Sequence, residues 1–210
     1  MIKILIADDH AVVREGIKTI IAGQTNMIVE DEAASGQEVL SKIAGKSYDL
    51  VLLDISMPGK SGLDVLEEIK TLHPKLPVLI LSMHPEEQYA IRTLRAGASG
   101  YLTKASAPQE LIQAIQKVSR GGKYVTLSLA EKLAFEIDAD SERPSHEKLS
   151  NREYQVMLLL ASGQSVSEAA EKLCLSSKTV ATYRTRILDK MNMKKNAELT
   201  LYAVRNKLID

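Results

Sequence analysis

The sequence has one cysteine, Cys174, among 210 residues, so no internal disulfide framework is available to it. That usage fits a reducing cytoplasm. The flanking Leu173 and Leu175 predict a buried structural thiol rather than a reactive one. No apolar run approaches the ~20 residues a membrane-crossing helix needs, so no membrane partner is expected. The opening stretch MIKILIADDH turns acidic after six residues and lacks a small-residue cleavage site, so it does not read as a signal peptide. Internal repeats and low-complexity tracts are missing as well. Net charge is also absent, because 27 Lys and Arg balance 27 Asp and Glu.

What is present is an ordinary globular composition, 45% apolar and 26% charged. The length is that of two domains. The charge is unevenly spread along it. Residues 1–125 carry 14 basic and 15 acidic side chains, residues 126–149 carry 3 and 6, and residues 150–210 carry 10 and 6. A nearly neutral first part, an acidic connector and a basic tail of net +4 direct any nucleic-acid role to the tail.

The first 120 residues alternate in type. IKILIA (2–7), MIVEDEA (27–33), DLVLLD (49–54), PVLILS (77–82) and SGYLT (99–103) are short runs rich in Ile, Leu and Val and read as strands. Several are apolar on both faces, as in a parallel sheet covered on both sides. Helical periodicity fills the gaps at 11–23, 36–45, 61–72, 86–96 and 108–120. Leu111, Ile112, Ile115 and Val118 share a face of the last, with Pro108 near its start and Gly121 at its end. This predicts an α/β fold, a doubly wound five-stranded parallel sheet, over residues 1–121. Residues 122–148 read as a linker: GGKYVT breaks the pattern, LSLAEKLAFEI (127–137) offers one optional helix, and DADSERPSHEK is polar. Residues 149–210 read as a small all-α domain. Ser150 and Glu153 form a capping box at its start, and turns fall at Gly163 and Leu175–Ser176. A last helix is expected near 196–208, where Leu199, Tyr202 and Ala203 are either a dimer face or core.

Ligands of doubly wound sheets bind beyond the carboxyl ends of the strands. Asp8 and Asp9 follow the first strand, Asp54 ends the third, Ser82 ends the fourth and Lys104 follows the fifth. Clustered carboxylates repel one another, and a hard dication such as Mg²⁺ relieves that. A metal, a lysine and an accessible carboxylate suit phosphoryl transfer, with Asp54 as nucleophile and Ser82 donating to the new phosphoryl oxygen. The alternative is that strand ends of α/β proteins are simply polar. In the tail, GQSVSEAAEKLCLSSKTVATYRTRILDKM reads helix, turn, helix. Ala169, Ala170 and Leu173 make the apolar face of the first helix, and Val180, Ile187 and Met191 that of the second. Lys178, Thr182, Thr185, Arg186 and Asp189 lie opposite, and Ser176 is placed to cap. Such a helix suits a DNA major groove; a solvated charged face is the other reading.

The pieces ADDH, LLDISMPGKSG, LSMH and GYLTK resemble the receiver domain of bacterial two-component response regulators. LSNRE, LLLASGQS, LSSKTV and ILDKMN are similar to the LuxR-type helix-turn-helix of the NarL/FixJ class. The first resemblance implies Asp54 as phospho-acceptor from a sensor histidine kinase. It implies a Mg²⁺ site from Asp8, Asp9, Asp54 and the main-chain carbonyl of Ser56. Ser82 is then the switch hydroxyl, Tyr101 the aromatic that turns inward, and Lys104 the phosphate-pairing lysine. Tyr101 taken alone is equally a half-buried strand aromatic. The second resemblance implies a recognition helix over Lys178–Lys190, with Lys178, Thr179, Ala181, Thr182, Thr185, Arg186 and Lys190 on double-stranded DNA, and a homodimer when phosphorylated. Together they imply a cytoplasmic transcription regulator that switches rather than turns over substrate. Receivers often carry proline after that lysine; here it is Ala105, and the isomer of the Lys104–Ala105 bond is open. Ser56 and His84 hold positions that tune dephosphorylation in the family, and no second histidine is expected beside His84. Two other functions stay in view. One is a phosphohydrolase of the haloacid-dehalogenase type, against which Ser56 stands where that class has a second acid. The other is a DNA binder indifferent to phosphorylation.

Overall fold

The computed structural model describes residues 1–127, 129–131, 133 and 144–209. The chain divides into two compact units, Met1–Ile137 and Asp138–Asp210.

In the first unit the strands are β1 (Ile2–Ala7), β2 (Met27–Ala33), β3 (Leu50–Leu53), β4 (Val78–Ser82) and β5 (Gly100–Thr103). The helices are α1 (Ala11–Ala22), α2 (Gly36–Gly45), α3 (Gly62–Leu72), α4 (Glu86–Arg95) and α5 (Pro108–Ser119). The strands pair all-parallel in the order β2-β1-β3-β4-β5. Every residue of β3 and β4 is buried, as a sheet covered on both faces requires. Ile4, Ile6, Leu50, Leu52, Leu79, Leu81 and Leu102 supply one face, packed against Ile17 and Ile21 of α1 and Leu111, Ile115 and Val118 of α5. The alternate residues Leu5, Val51, Leu53 and Ile80 point the other way and are equally buried. Burying a Leu, Ile or Val side chain contributes about 1.5–3 kcal/mol each, so these rows hold the sheet's register. The edge strand β2 is only partly buried through Val29–Glu32, and Lys46 pairs with both Glu30 and Asp31 along it. Charge of that kind blunts an edge against further pairing.

The segment read as a linker is packed at both described ends. Tyr124 bridges to Gly100 beside β5. Residues 127, 129–131 and 133 are helical; the rest of the expected 127–137 helix lies outside the described residues. At the far end a 3₁₀ turn, Ser145–Lys148, precedes the second unit's helices.

Those helices are α6 (Asn151–Ala161), α7 (Val166–Lys172), α8 (Ser177–Met191) and α9 (Asn196–Arg205). Each of the first three starts on a serine: Ser150 and Ser165 make full capping boxes with Glu153 and Glu168, and Ser176 accepts from Thr179 N–H. Gly163 (φ 85) and Asn192 (φ 55) turn left-handed just past α6 and at the end of α8. Cys174 is exposed, contrary to the buried thiol its leucine neighbours suggest. It sits in the α7–α8 turn at φ 53, and Leu173 and Leu175 are themselves only partly buried. The sequence left open whether Leu199, Tyr202 and Ala203 form a dimer face or core; Leu199 and Ala203 are core, and Tyr202 is partly buried. Leu199 and Ala203 are fully buried, and the Tyr202 hydroxyl lies 2.8 Å from His146 Nδ1. The apolar side chains that α9 leaves exposed are Leu201 and Val204.

Glu153 ties the second unit together. It accepts from Ser150 N–H at 2.8 Å and from Lys190 Nζ at 2.6 Å, across 37 residues. Burial raises its pKa, but the Lys190 and Ser150 hydrogen bonds outweigh that and hold it below 4.5. A lowered carboxyl pKa contributes stability above its ordinary value and loses it as pH falls through the folded-state value. Glu153→Gln is therefore expected to cost this domain about 1–2 kcal/mol at pH 7. Urea denaturation should show the penalty fading below pH 4.5; a penalty constant down to acid pH would contradict the ion-pair account.

Candidate phosphoryl-acceptor site and candidate DNA interface

The parallel ladder runs one residue past the strands and places each functional side chain. Asp8 N–H donates to Ala33 O, Asp54 N–H to Ala7 O and Lys104 N–H to Ser82 O. The side chains of Asp8, Asp54 and Lys104 thereby emerge together at the carboxyl edge of the sheet. Asp8 and Asp54 are each 2% exposed and Ser82 is fully buried. The loop after β3 is held close to the sheet at Gly62, where a Cβ would collide with Asp54 O. Gly59 is at φ 75 in that loop, a conformation that favours glycine.

Lys104 Nζ lies 2.6 Å from Asp8 Oδ2 and 2.8 Å from Asp54 Oδ2. Burial works against the Lys104 charge, yet its bonds to Asp54 and Asp8 hold its pKa above the ordinary lysine value. Burial pushes the Asp54 carboxyl up, against the pull of Lys104. Asp54 Oδ1 accepts from Ser56 N–H at 3.2 Å. Asp8, Asp9, His10 and Asp54 also form a cluster with the donor set of a metal site: one ligand atom from each lies within 4.8 Å of the others. Asp9 Oδ1 is shielded from solvent and accepts no hydrogen bond. His10 Nδ1 stands 2.9 Å from it, an ion pair only when the imidazole is protonated. This oxygen-rich, net-negative pocket is compatible with Mg²⁺. His10 was not anticipated as part of it, although it directly follows the Asp8–Asp9 pair in ADDH.

Tyr101 is fully buried, not the half-buried strand aromatic that one reading of it allowed. Its hydroxyl donates to His84 O at 2.8 Å, and burial pushes its pKa well up. Ser82 Oγ accepts from His84 N–H at 3.1 Å. Ser82, Tyr101 and the His84 backbone thus form one hydrogen-bonded unit, which separate strand-end assignments did not foresee. The His84 ring packs on Tyr89 of α4 at 4.8 Å, and its Nε2 is 3.1 Å from Ser56 Oγ. Burial lowers its pKa, which favours the neutral ring. The described peptide bonds are all trans, Lys104–Ala105 included.

In the second unit Val180, Ile187, Leu188 and Met191 bury one face of α8. Lys178, Ala181, Thr182, Thr185 and Arg186 are exposed on the other. Thr182 and Thr185 donate their hydroxyls to Lys178 O and Ala181 O, leaving the threonine methyls outward. Thr179 is partly buried and serves the cap, 2.8 Å from Ser176 Oγ. Lys190 is the outlier of the expected contact set, its ammonium engaged by Glu153. Arg184, not anticipated, donates from Nε to Asn196 Oδ1 at 2.7 Å and ties α8 to the start of α9.

Comparison with known proteins separates the same two parts. Residues 4–116 match the response regulator receiver domain and residues 147–203 match the bacterial regulatory proteins of the luxR family. The chain is 39% identical to the response regulator GacA of Pseudomonas protegens, over 100% of this chain and 99% of that protein. It is 40% identical to the oxygen regulatory protein NreC of Staphylococcus carnosus, over 99% of each. Among solved structures it resembles RcsB from Salmonella enterica serovar Typhimurium bound to promoter rprA in the presence of the phosphomimetic BeF3-. The TM-score is 0.64 at 25% identity, covering 97% of this chain and 99% of that one.

If the pocket holds the dication, Mg²⁺ binds the folded state alone and raises stability by mass action. The wild type is expected to gain several degrees of midpoint in calorimetry when Mg²⁺ is raised well above its dissociation constant. Asp9→Asn should lose most of that gain. Asp54→Asn, which removes one of the crowded buried carboxylates, should unfold later than the wild type in metal-free buffer at pH 7. Equal Mg²⁺ shifts in all three proteins would argue against the pocket.

Proposed function

The chain belongs to the response regulators that join a receiver domain to a luxR-family DNA-binding domain, and from that premise we propose that a phosphoryl group on Asp54 controls its DNA binding. It is a DNA-binding transcription regulator by family. The observation that carries the phosphoryl reading is the single buried ammonium of Lys104 shared by Asp8 and Asp54 at 2.6 and 2.8 Å. It holds the acceptor in place and stands where phosphoryl charge would develop.

In this reading a sensor histidine kinase donates the phosphoryl group. The phosphorus–nitrogen bond of its phosphohistidine breaks and an oxygen–phosphorus bond to the Asp54 carboxylate forms. Mg²⁺, held by Asp8, Asp9, Asp54 and the Ser56 carbonyl, would neutralise charge on the phosphoryl oxygens. Lys104 exchanges Asp54 Oδ2 for a phosphoryl oxygen. Ser82 leaves its bond with His84 N–H to donate to another, and Tyr101, bonded to His84 O, follows. That shift biases the equilibrium toward a DNA-binding dimer. RcsB is recorded as dimers bound to DNA; here the exposed Leu201 and Val204 of α9 offer the apolar contact. The recognition helix α8 meets the major groove with Ala181, Thr182 and Thr185 toward bases and Lys178 and Arg186 toward phosphates. Thr179 supports the helix start; Lys190 joins only by release from Glu153. No described helix is long and apolar enough to cross a membrane, and a regulator of chromosomal DNA works in the cytoplasm. The protein acts as a switch, with the phosphoryl group finally lost to water.

Two experiments test this. Intact-mass spectrometry after incubation with a small-molecule phosphodonor and Mg²⁺ should show one added phosphoryl group on the wild type and none on Asp54→Asn. If neither protein gains mass while both stay folded, the DNA binder indifferent to phosphorylation becomes the better reading. On promoter DNA, Lys178→Ala and Arg186→Ala should each lower the slope of log affinity against log salt by about one, while Thr182→Ala should relax sequence preference with the slope unchanged. Slopes unaffected by either cation would remove α8 from the phosphate interface.

A further inference from the structure

The stretch GGKYVT interrupts the helix–strand alternation, and the function above does not use it. In the structure it is a strap that runs from β5 to α4, gripped at two places. One grip is on β5. Lys123 Nζ donates to Ala98 O at 2.5 Å, Tyr124 N–H donates to Ser99 O at 2.9 Å, and Tyr124 bridges to Gly100. The Tyr124 ring packs against the α1–α5 core. The approach is so close that a Cβ on Gly100 would stand 2.6 Å from Tyr124 O and 2.9 Å from Leu79 Cδ1. The second grip is on α4. Thr126 Oγ1 donates to Glu86 Oε2 at 2.7 Å. The same hydroxyl oxygen accepts from Leu129 N–H at 3.2 Å, capping the helical segment that starts at residue 127, and Leu129 is buried.

Both grips adjoin the switch. Gly100 precedes Tyr101, and Glu86, the first residue of α4, lies two residues beyond His84. His84 N–H donates to Ser82 Oγ, and the Tyr101 hydroxyl donates to His84 O. The first grip combines main-chain bonds, the Lys123 ammonium and a partly buried ring. The second is one side-chain bond to a carboxylate.

We infer that the strap is a mechanical reader of the switch: when Ser82 turns to the phosphoryl group and the His84–Glu86 segment moves relative to β5, the Thr126–Glu86 bond breaks and the segment after Thr126 leaves α4, while Tyr124 stays on β5. Residues 123–131 therefore carry the state of Asp54 into the chain leading to the DNA-binding domain. This rests on the phosphoryl reading above. Coupling of this kind needs an element with two discrete arrangements that the site biases, and a strap with one strong and one weak grip supplies it.

The test is hydrogen exchange with mass spectrometry on the full chain, with and without Mg²⁺ and beryllofluoride, a phosphoryl mimic. In the wild type the mimic should speed exchange of the 129–131 amides about tenfold, the factor for losing one hydrogen bond to a charged group, with the Tyr124 amide unchanged. Glu86→Ala leaves the Thr126 cap intact. It should exchange at the fast rate without the mimic and show no further response. Thr126→Ser keeps the hydroxyl and should behave as the wild type. Wild-type amides that exchange alike in both states, or a Glu86→Ala protein that responds like the wild type, would overturn the strap. Native mass spectrometry of the same samples separates the failures. A wild type that takes up the mimic without a change at 129–131 sinks this inference alone, and one that does not take it up sinks the phosphoryl reading with it.

Discussion

Everything at the carboxyl edge of the sheet depends on one ammonium among several carboxylates. Lys104 is buried with Asp8 and Asp54, and with Asp9 in the same cluster the acids outnumber that one ammonium. Such a cluster is unstable without a counter-charge. Its residual negative charge faces the side where Asp8, Asp9, His10 and Asp54 converge. The parallel sheet makes this possible: strands ending at one edge put β1, β3 and β5 residues within ion-pair distance although they are about a hundred positions apart in sequence.

A second constraint links that chemistry to movement. Ser82 and Tyr101 are both hydrogen-bonded to the His84 main chain, so a change of partner at Ser82 bears on the segment that also holds Tyr101. Tyr101 is fully buried, and rearranging a packed core is discrete rather than gradual. By contrast the helix-turn-helix unit is held by ordinary means: capped helix starts, an apolar seam and the Glu153–Lys190 pair. It needs no switch of its own to present α8.

The elements were readable because their signals are local. The apolar run Leu50–Leu53 in a parallel strand, Pro108 at a helix start and Ser150 with Glu153 each act within a few residues, and the observed bounds fall close to those expected. The strand-end residues Asp8, Asp54, Ser82 and Lys104 were readable for a related reason, since a doubly wound topology fixes which edge they share. Cys174 was misread because leucine neighbours say little about a residue in a left-handed turn. Tyr202 was left undecided because its partner, His146, is 56 residues away.

Sequence alone determined the α/β and all-α parts, the basic tail and the membership of the acid cluster, since these follow from periodicity, composition and strand order. Only the tertiary structure decided which contacts the side chains make. It paired Lys190 with Glu153 and brought His10 to the acids. It set Ser56 against His84, buried Leu199 while exposing Leu201, and laid Tyr124 and Thr126 across β5 and α4. The physical reason is range. Propensity and capping act over a turn or a strand, whereas hydrogen bonds, ion pairs and burial are settled by whichever distant residues the packed fold brings within about 3 Å.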